Sequence, residues 1–301
     1  MFTWRYHIVS LAAVFVALAV GILLGVAISG NLSEAQTSFE RSEIARLNEE
    51  LANQRSFVDA VGRSEAATSE LLEEAYPALM DGRLAGRGFA VLFLGPVDGS
   101  VRSAVERTLA DSGSGAPVRL IAIDTPVDAR EVDDELLNHE ELAVYAEDGD
   151  DFGDLGEALA RELVGGGETP LWTALSNELV EERSGSSAPA VEGAIIARSW
   201  VPPEDAEGDE LRPTETLFEG LLDGLGAAPV PAIGVETTTG PESSIELYRR
   251  QGVSSVDNVD TLAGRLALAL LLGGGQPGHY GIKDSASDGV APPIESVPEE
   301  E

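Results

Sequence analysis

The 301-residue chain contains no cysteine, one lysine (Lys283), three histidines and two methionines. The absence of cysteine excludes disulfides, thiolate metal sites and cysteine nucleophiles, and it leaves the cellular compartment open. His7, His139 and His279 are the only imidazoles, so few of the ligands that transition metals prefer are present. We therefore expect no metal site in this chain.

Basic residues are also scarce, since 19 stand against 53 acidic ones and give a formal net charge of −34. A surface this negative repels the phosphate backbone, so we expect no nucleic-acid partner. The charge also fits solubility in a salty medium or the composition of a GC-rich genome. The apolar share of 43% is ordinary and allows a packed core.

One long apolar run, residues 8–28, carries no charge. Its 21 residues span roughly 31 Å as a helix, about the hydrocarbon thickness of a bilayer. We predict a single transmembrane helix in contact with lipid. The alternatives are a buried core helix and a cleaved signal peptide, whose apolar region would be shorter and whose small-x-small site Ala27–Gly30 matches only in part. An uncleaved signal anchor fits better.

The residues beside this run indicate its orientation. Arg5 precedes it, whereas Glu34, Glu40 and Glu43 follow it. The positive-inside rule places residues 1–7 in the cytoplasm and the bulk of the chain outside the cell (inner) membrane. Within the run, Gly21 and Gly25 form a GxxxG pattern that permits close approach of two helices, or are simply tolerated glycines.

Residues 31–76 contain no proline and one glycine, Gly62. Apolar residues recur there at the a and d positions of a heptad and predict a coiled-coil stalk, ended by Pro77, that forms a homodimer. The alternative is a lone helix folded back on the domain. The seam of this stalk consists of Ile44, Leu47, Leu51, Val58 and Val61.

The remaining chain alternates short apolar runs with segments of helical spacing. This alternation predicts a layered α/β domain over 86–283 with a mainly parallel sheet. An acidic stretch follows at 124–154, and residues 284–301 predict a disordered tail. We predict strands at 89–94, 118–123, 193–198 and 230–235, helices at 100–112, 153–164, 171–183, 214–225 and 259–272, and linkers at 184–190 and 201–213.

The sequence does not match the common catalytic motifs. Gly86-x-Gly88 precedes its strand instead of following it, and Gly95–Gly99 lacks the Walker lysine. No Gly-x-Ser-x-Gly elbow occurs. We therefore predict no enzyme and no cofactor. The alternative is a flavodoxin-like enzyme, whose ligand would lie near Gly95–Ser100 and Asp124–Pro126 at the carboxyl ends of strands.

Two stretches carry a family resemblance. The first is His7–Gly25, and the second is the closing pattern of an acidic turn at 254–260, a helix over 264–275 and Gly-His-Tyr-Gly at 278–281. Together they resemble the actinobacterial MctB-type "copper transport outer membrane protein" family. The residues of the closing motif are Asp257, Asp260, Gly264, Gly278, Tyr280 and Gly281.

The resemblance implies copper homeostasis or transport, an outer-membrane location, and cell-envelope processes beside a partner membrane protein. A single apolar helix cannot form a pore. We therefore expect an extracytoplasmic scaffold or interaction protein, with a copper carrier or a cell-envelope accessory without a copper role as alternatives.

The closing motif also has a structural interpretation. Asp257 and Asp260 would cap a helix that begins near Thr261, and Gly273–Gly275 would end it. Tyr280 would pack the chain end onto the domain. The alternative is that Asp257, Asp260, His279 and Tyr280 bind a ligand.

Overall fold

One long helix, α1, begins at Thr3 and ends at Met80. The computed structural model describes residues 3–146, 151–203, 208–240 and 243–294, without the side chains of 3–7, 27–42 and 209. It divides the chain into two compact units, Met1–Glu70 and Leu71–Glu301. The predicted apolar helix at the amino terminus is thus present, whereas the coiled coil stays a prediction.

The prediction that Pro77 ends the helix is wrong, because α1 continues for three further residues. Proline removes its own amide hydrogen bond, and its ring crowds the carbonyl four residues earlier, but it leaves the later hydrogen bonds of the helix intact. Its carbonyl still accepts from Asp81 N at 3.0 Å. Tyr76 and Met80, on either side of it, are buried in the core, which offsets the loss.

The second unit is built on a seven-stranded sheet with helices between the strands. The strands are β1 (Ala90–Leu94), β2 (Arg119–Ile123), β3 (Val180–Gly185), β4 (Ala194–Arg198), β5 (Ala232–Val235), β6 (Ser254–Val256) and β7 (His279–Tyr280). The helices are α2 (Gly99–Asp111), α3 (Ala129–Leu137), α4 (Gly153–Val164), α5 (Pro170–Ala174), α6 (Gly208–Gly226), α7 (Ile245–Arg250) and α8 (Leu262–Leu272).

The strand order is β3-β2-β1-β4-β5-β6-β7. Every pair is parallel except β2–β3, which is antiparallel. Without β3, the first five parallel strands follow the order of flavodoxin-like doubly wound folds. The predicted layered α/β domain with a mainly parallel sheet is confirmed.

Both faces of the sheet are buried, because successive side chains of a strand point to opposite faces. In β1, Leu92 and Leu94 pack in one core cluster with α4 and α6. Val91 and Phe93 pack in the other cluster with α2, α8 and the end of α1. This explains why β1 is a continuous apolar run, as expected for a strand covered on both sides.

Two predicted segments differ from the structure. The helix expected at 171–183 ends at Ala174, and residues 180–183 belong to the edge strand β3, which pairs with β2. Backbone pairing with β2 gives these residues a strand conformation, although the leucines before them have helical spacing. The linker expected at 201–213 contains the start of α6 at Gly208. The apolar runs and helical spacings described above do not predict the short elements α3, α7, β6 and β7.

Candidate functional site

A crevice opens at the carboxyl edge of the sheet, between β1 and β4. The chain leaves β1 towards β2 on one side and leaves β4 towards β5 on the other, so this is the switch point where doubly wound folds bind ligands. The crevice holds a cavity of about 160 Å³, lined by Asp98, Arg198, Trp200 and Glu236 among others. Of the two predicted segments, only Gly95–Ser100 contributes to it, through Asp98.

Asp98 caps the amino terminus of α2. Its Oδ1 accepts hydrogen bonds from Ser100 N at 2.8 Å, Ser100 Oγ at 2.6 Å and Val101 N at 3.1 Å. Burial alone would raise the pKa of Asp98, but these hydrogen bonds outweigh it and hold the pKa below its usual value. The helix terminus is therefore already occupied by a carboxylate.

The segment after β4 crosses the end of β1. Trp200 N donates to the carbonyl of Leu94 at 3.0 Å. Gly95 has a φ of 112°, and a Cβ there would lie 2.6 Å from Trp200 N. The indole ring of Trp200 meets Phe218 edge to face, with ring centroids 5.8 Å apart. This crossing fills part of the crevice and keeps the cavity small.

A half-buried ion pair joins Glu236, which follows β5, to Lys283. The Nζ–Oε2 distance is 2.9 Å. The other oxygen of Glu236 accepts from Ser244 N, before α7. No local sequence pattern predicts this pair, but Lys283 is the only lysine in a strongly acidic chain, and its rarity is a signal that points to it.

The structure contradicts the expected capping roles of Asp257 and Asp260. Thr261 caps α8, and its Oγ1 accepts from Gly264 N at 3.0 Å. Asp257 is fully buried and accepts from Ile282 N at 2.9 Å and Lys283 N at 3.0 Å. A cap oxygen must reach the first turn of the helix, and both aspartates are engaged elsewhere.

Asp260 holds the loop after β5. Its Oδ1 accepts from Thr238 N at 2.8 Å and from Thr238 Oγ1 at 3.0 Å. Asp257 and Asp260 therefore tie neighbouring connections together at the carboxyl edge of the sheet. Helix α8 ends at Leu272, with Gly273 as its C-cap.

At Gly264 and Gly278, two glycines of the closing motif, atoms of other residues lie too close to the backbone for a side chain to fit. A Cβ on Gly264 would lie 2.0 Å from the carbonyl oxygen of Asn258, and one on Gly278 would lie 3.0 Å from Asp288 Oδ2. Tyr280 is buried, and its hydroxyl donates to the carbonyl of Gln276 at 3.1 Å. The motif packs the end of the chain against the domain.

Residues 284–294 form contacts with β7 and the residue after it, and the disordered tail expected at 284–301 stays a prediction. Asp288 Oδ2 accepts from His279 N at 2.8 Å, and Gly289 O accepts from Gly281 N at 2.9 Å. Burial, and then the charge of Arg249, lower the pKa of His279 below its usual value. Residues 295–301 lie outside the described residues.

The comparison with protein families decides the affiliation. The family described as "Copper transport outer membrane protein, MctB" matches residues 1–291. The chain belongs to this family. A search of curated proteins finds no match. The resemblance drawn from the two ends of the sequence is thus confirmed.

The family's description and the amino-terminal helix together indicate a membrane protein. Within the described part of the chain, Ile8–Val26 is the one segment long and apolar enough to cross a membrane, by length and composition. A Cβ on Gly21 or Gly25 would meet nothing within 4 Å. The seam residues of the predicted stalk are all exposed: Ile44, Leu47, Leu51, Val58 and Val61.

The rare metal-binding side chains of this family member are dispersed. Met80 is buried in the core, and His139 Nε2 lies 3.1 Å from Glu135 Oε1. His279 Nδ1 lies 2.9 Å from Ser255 Oγ. Across the described residues, no group of three or more His, Asp or Glu side chains is placed to hold a metal ion.

Proposed function

We propose that the chain is a single-pass protein of the cell membrane that acts as an extracytoplasmic interaction protein in copper homeostasis, and not as an enzyme or a pore. Residues 8–28 anchor it, residues 1–7 lie in the cytoplasm, and the α/β domain lies outside. Two copies associate in parallel through the seam of α1. The copper role comes from the family alone.

The observation that carries this proposal is the exposed seam. Ile44, Leu47, Leu51, Val58 and Val61 are each between 47% and 66% exposed. They occupy five of the six heptad a and d positions between 44 and 61, with Gln54 at the sixth, and so form an apolar stripe on the helix. Contiguous apolar surface is stabilised when a second helix covers it.

Charge favours a parallel, in-register pair of identical helices. With Ile44 at position a, Glu50 is at g and Arg55 is at e of the next heptad. In a parallel dimer a g residue faces the e residue of the next heptad on the partner helix, so Glu50 would face Arg55 of the second copy. Gly21 and Gly25 would let the two membrane segments pack closely against each other.

The sheet supports a location outside the bilayer. Both of its faces are covered by helices and packed in two apolar cores, so the sheet presents neither face to lipid. The density of charge on the domain also favours water over hydrocarbon. A tether in the inner membrane therefore suits the described part of the chain better than a channel in the outer one.

In this proposal copper is the cargo, and the chain does not bind it alone. Copper(I) prefers sulfur ligands and copper(II) prefers imidazole. The chain has no cysteine. Of the side chains that the structure describes, Met80 is enclosed in the core and the two histidines lie in separate contacts. We propose that a partner membrane protein supplies the copper ligands and that this chain holds the partner protein in place.

Disulfide crosslinking of single-cysteine variants in membranes tests the seam. Because the natural chain has no cysteine, each introduced thiol is unique. Leu47→Cys and Leu51→Cys place thiols at d and a, and we expect mild oxidation to convert most of each variant to a dimer. Identical positions meet in this way only when the two helices are parallel and in register.

The matched control is Glu49→Cys, at the outward f position two residues from Leu51. It should give little dimer under the same oxidation. Equal yields at 49 and 51 would indicate random collision in the membrane, and no dimer at 47 or 51 would contradict the proposed stalk.

A further inference from the structure

Arg198 is the last residue of the central strand β4, at its carboxyl end, and it lines the cavity at the switch point. Its backbone amide donates to the hydroxyl of Tyr248 at 3.1 Å. Its side chain forms no ion pair or hydrogen bond with any other residue that the structure describes, and its Nε is buried without a partner. A partly buried cation without an anion is unfavourable, so the site favours a negatively charged occupant.

The acidic neighbours of Arg198 are committed to other groups. The carboxylate of Asp98 caps α2. The carboxylate of Glu236 pairs with Lys283 and accepts from Ser244 N. Neither carboxylate lies within ion-pair distance of Arg198, so its terminal nitrogens are left for a ligand.

We propose that this cavity binds a carboxylate group, held by the terminal nitrogens of Arg198. The planar fork of a guanidinium matches the two oxygens of a carboxylate. Phosphate is disfavoured, because the helix terminus that would hold it is occupied by Asp98, whose negative charge would repel a dianion.

The size of the cavity limits the ligand. Its volume is about 160 Å³. That is room for roughly five waters at about 30 Å³ each, and it is smaller than a drug-sized pocket. The ligand group therefore has about the size of an aspartate or glutamate side chain. It could belong to a free small acid or to an acidic residue of a peptide segment, since the chemistry is shared.

Titration of the full-length chain in detergent, followed by tryptophan fluorescence, tests the site. Trp200 lines the cavity, so its emission reports occupancy. The probes are acetate, propionate and a blocked Ala-Glu-Ala peptide, with Ala-Gln-Ala and inorganic phosphate as controls at constant ionic strength. We expect saturation by at least one carboxylate probe with a Kd of about millimolar, and none by either control.

The decisive variant is Arg198→Gln, which should weaken that binding at least about tenfold. The matched control Arg250→Gln removes an exposed arginine outside the cavity and should leave binding unchanged. If Arg198→Gln fails to fold by circular dichroism, Arg198→Lys keeps the charge without the fork and should bind more weakly than the natural chain.

Each outcome decides the inference. Saturation by the free acids, by the Glu peptide or by both supports a carboxylate site and identifies the source of the group. No saturation by any carboxylate probe would overturn it. Equal binding by the natural chain and Arg198→Gln, or phosphate binding as tight as carboxylate binding, would overturn it as well.

Discussion

Replacing Arg119 with alanine is expected to lower the free energy of unfolding of the α/β domain by about 3–5 kcal/mol. Arg119 begins β2 and is 4% exposed. Its Nη1 donates to the carbonyls of Leu163 at 2.9 Å and Gly165 at 3.1 Å. Its Nη2 donates to the carbonyl of Ser187 at 3.1 Å and also to that of Pro189.

These contacts give the side chain two structural roles. The last carbonyls of a helix have no partner within it, and a positive charge there also interacts favourably with the helix dipole. Arg119 satisfies them at the end of α4 and fixes the loop at 187–189. Alanine would remove this donor from several buried or half-buried carbonyls, and water entering the space would return only part of the loss.

Urea unfolding, followed by the fluorescence of Trp172 in the core cluster on the α4 side of the sheet, measures this loss. Arg119→Lys should lie between alanine and the natural chain, because it keeps the charge but not the fork. Arg107→Ala, on the exposed side of α2, should stay within about 0.5 kcal/mol of the natural chain. A similarly small change for Arg119→Ala would contradict the assigned roles.

Gly281→Ala is expected to cost about 3 kcal/mol and to release the end of the chain from the domain. Gly281 has a φ of 149°, in a region that residues with a side chain rarely adopt. A Cβ there would lie 1.9 Å from Asp257 Oδ1. The carboxylate of Asp257 would have to move, and its hydrogen bonds from the amides of Ile282 and Lys283 would be lost.

Gly274→Ala is the matched control for this substitution. Gly274 also has a positive φ, 93°, but a Cβ there would meet nothing within 4 Å. Gly274→Ala should therefore lower the free energy of unfolding only by the backbone strain, about 1–2 kcal/mol. Urea unfolding gives both values, and limited proteolysis reports release of residues 282–294. Equal costs for the two variants would show that the contact with Asp257 contributes little.

The buried strands could be predicted because they are continuous apolar runs. All five residues of β1 are buried and apolar, and all five of β2 are buried and, after Arg119, apolar. By contrast, β6 and β7 have three and two residues, too few to show a period. The polar strand β3 owes its conformation to pairing with β2, which no local pattern encodes.

The sequence also contains a pattern that predicts the short helix α3. In the acidic stretch, Val132 and Leu136 stand four residues apart after Asp128, which caps α3. This is the pattern of a short amphipathic helix with an N-cap. The leucines at 171, 175 and 179 show a similar spacing, yet only the first lies in a helix. Spacing alone therefore could not separate the two segments.

The candidate site was the least predictable part. Asp257 accepts hydrogen bonds from amides 25 and 26 residues later in the chain. Nothing near Asp257 in the sequence shows that the chain returns there, so a local capping role was the natural expectation. Arg198 likewise gains its position only because β1 and β4 are neighbours in the sheet.

The mass of the full-length chain in detergent tests the proposed dimer most directly. Sedimentation equilibrium, with the detergent matched in density, should give a protein mass of twice 31.5 kDa for the natural chain. The double variant Leu47→Asp/Leu51→Asp should give a single mass of 31.5 kDa, because charges in the seam prevent its burial. A natural chain that sediments as a monomer throughout the concentration range would contradict the account.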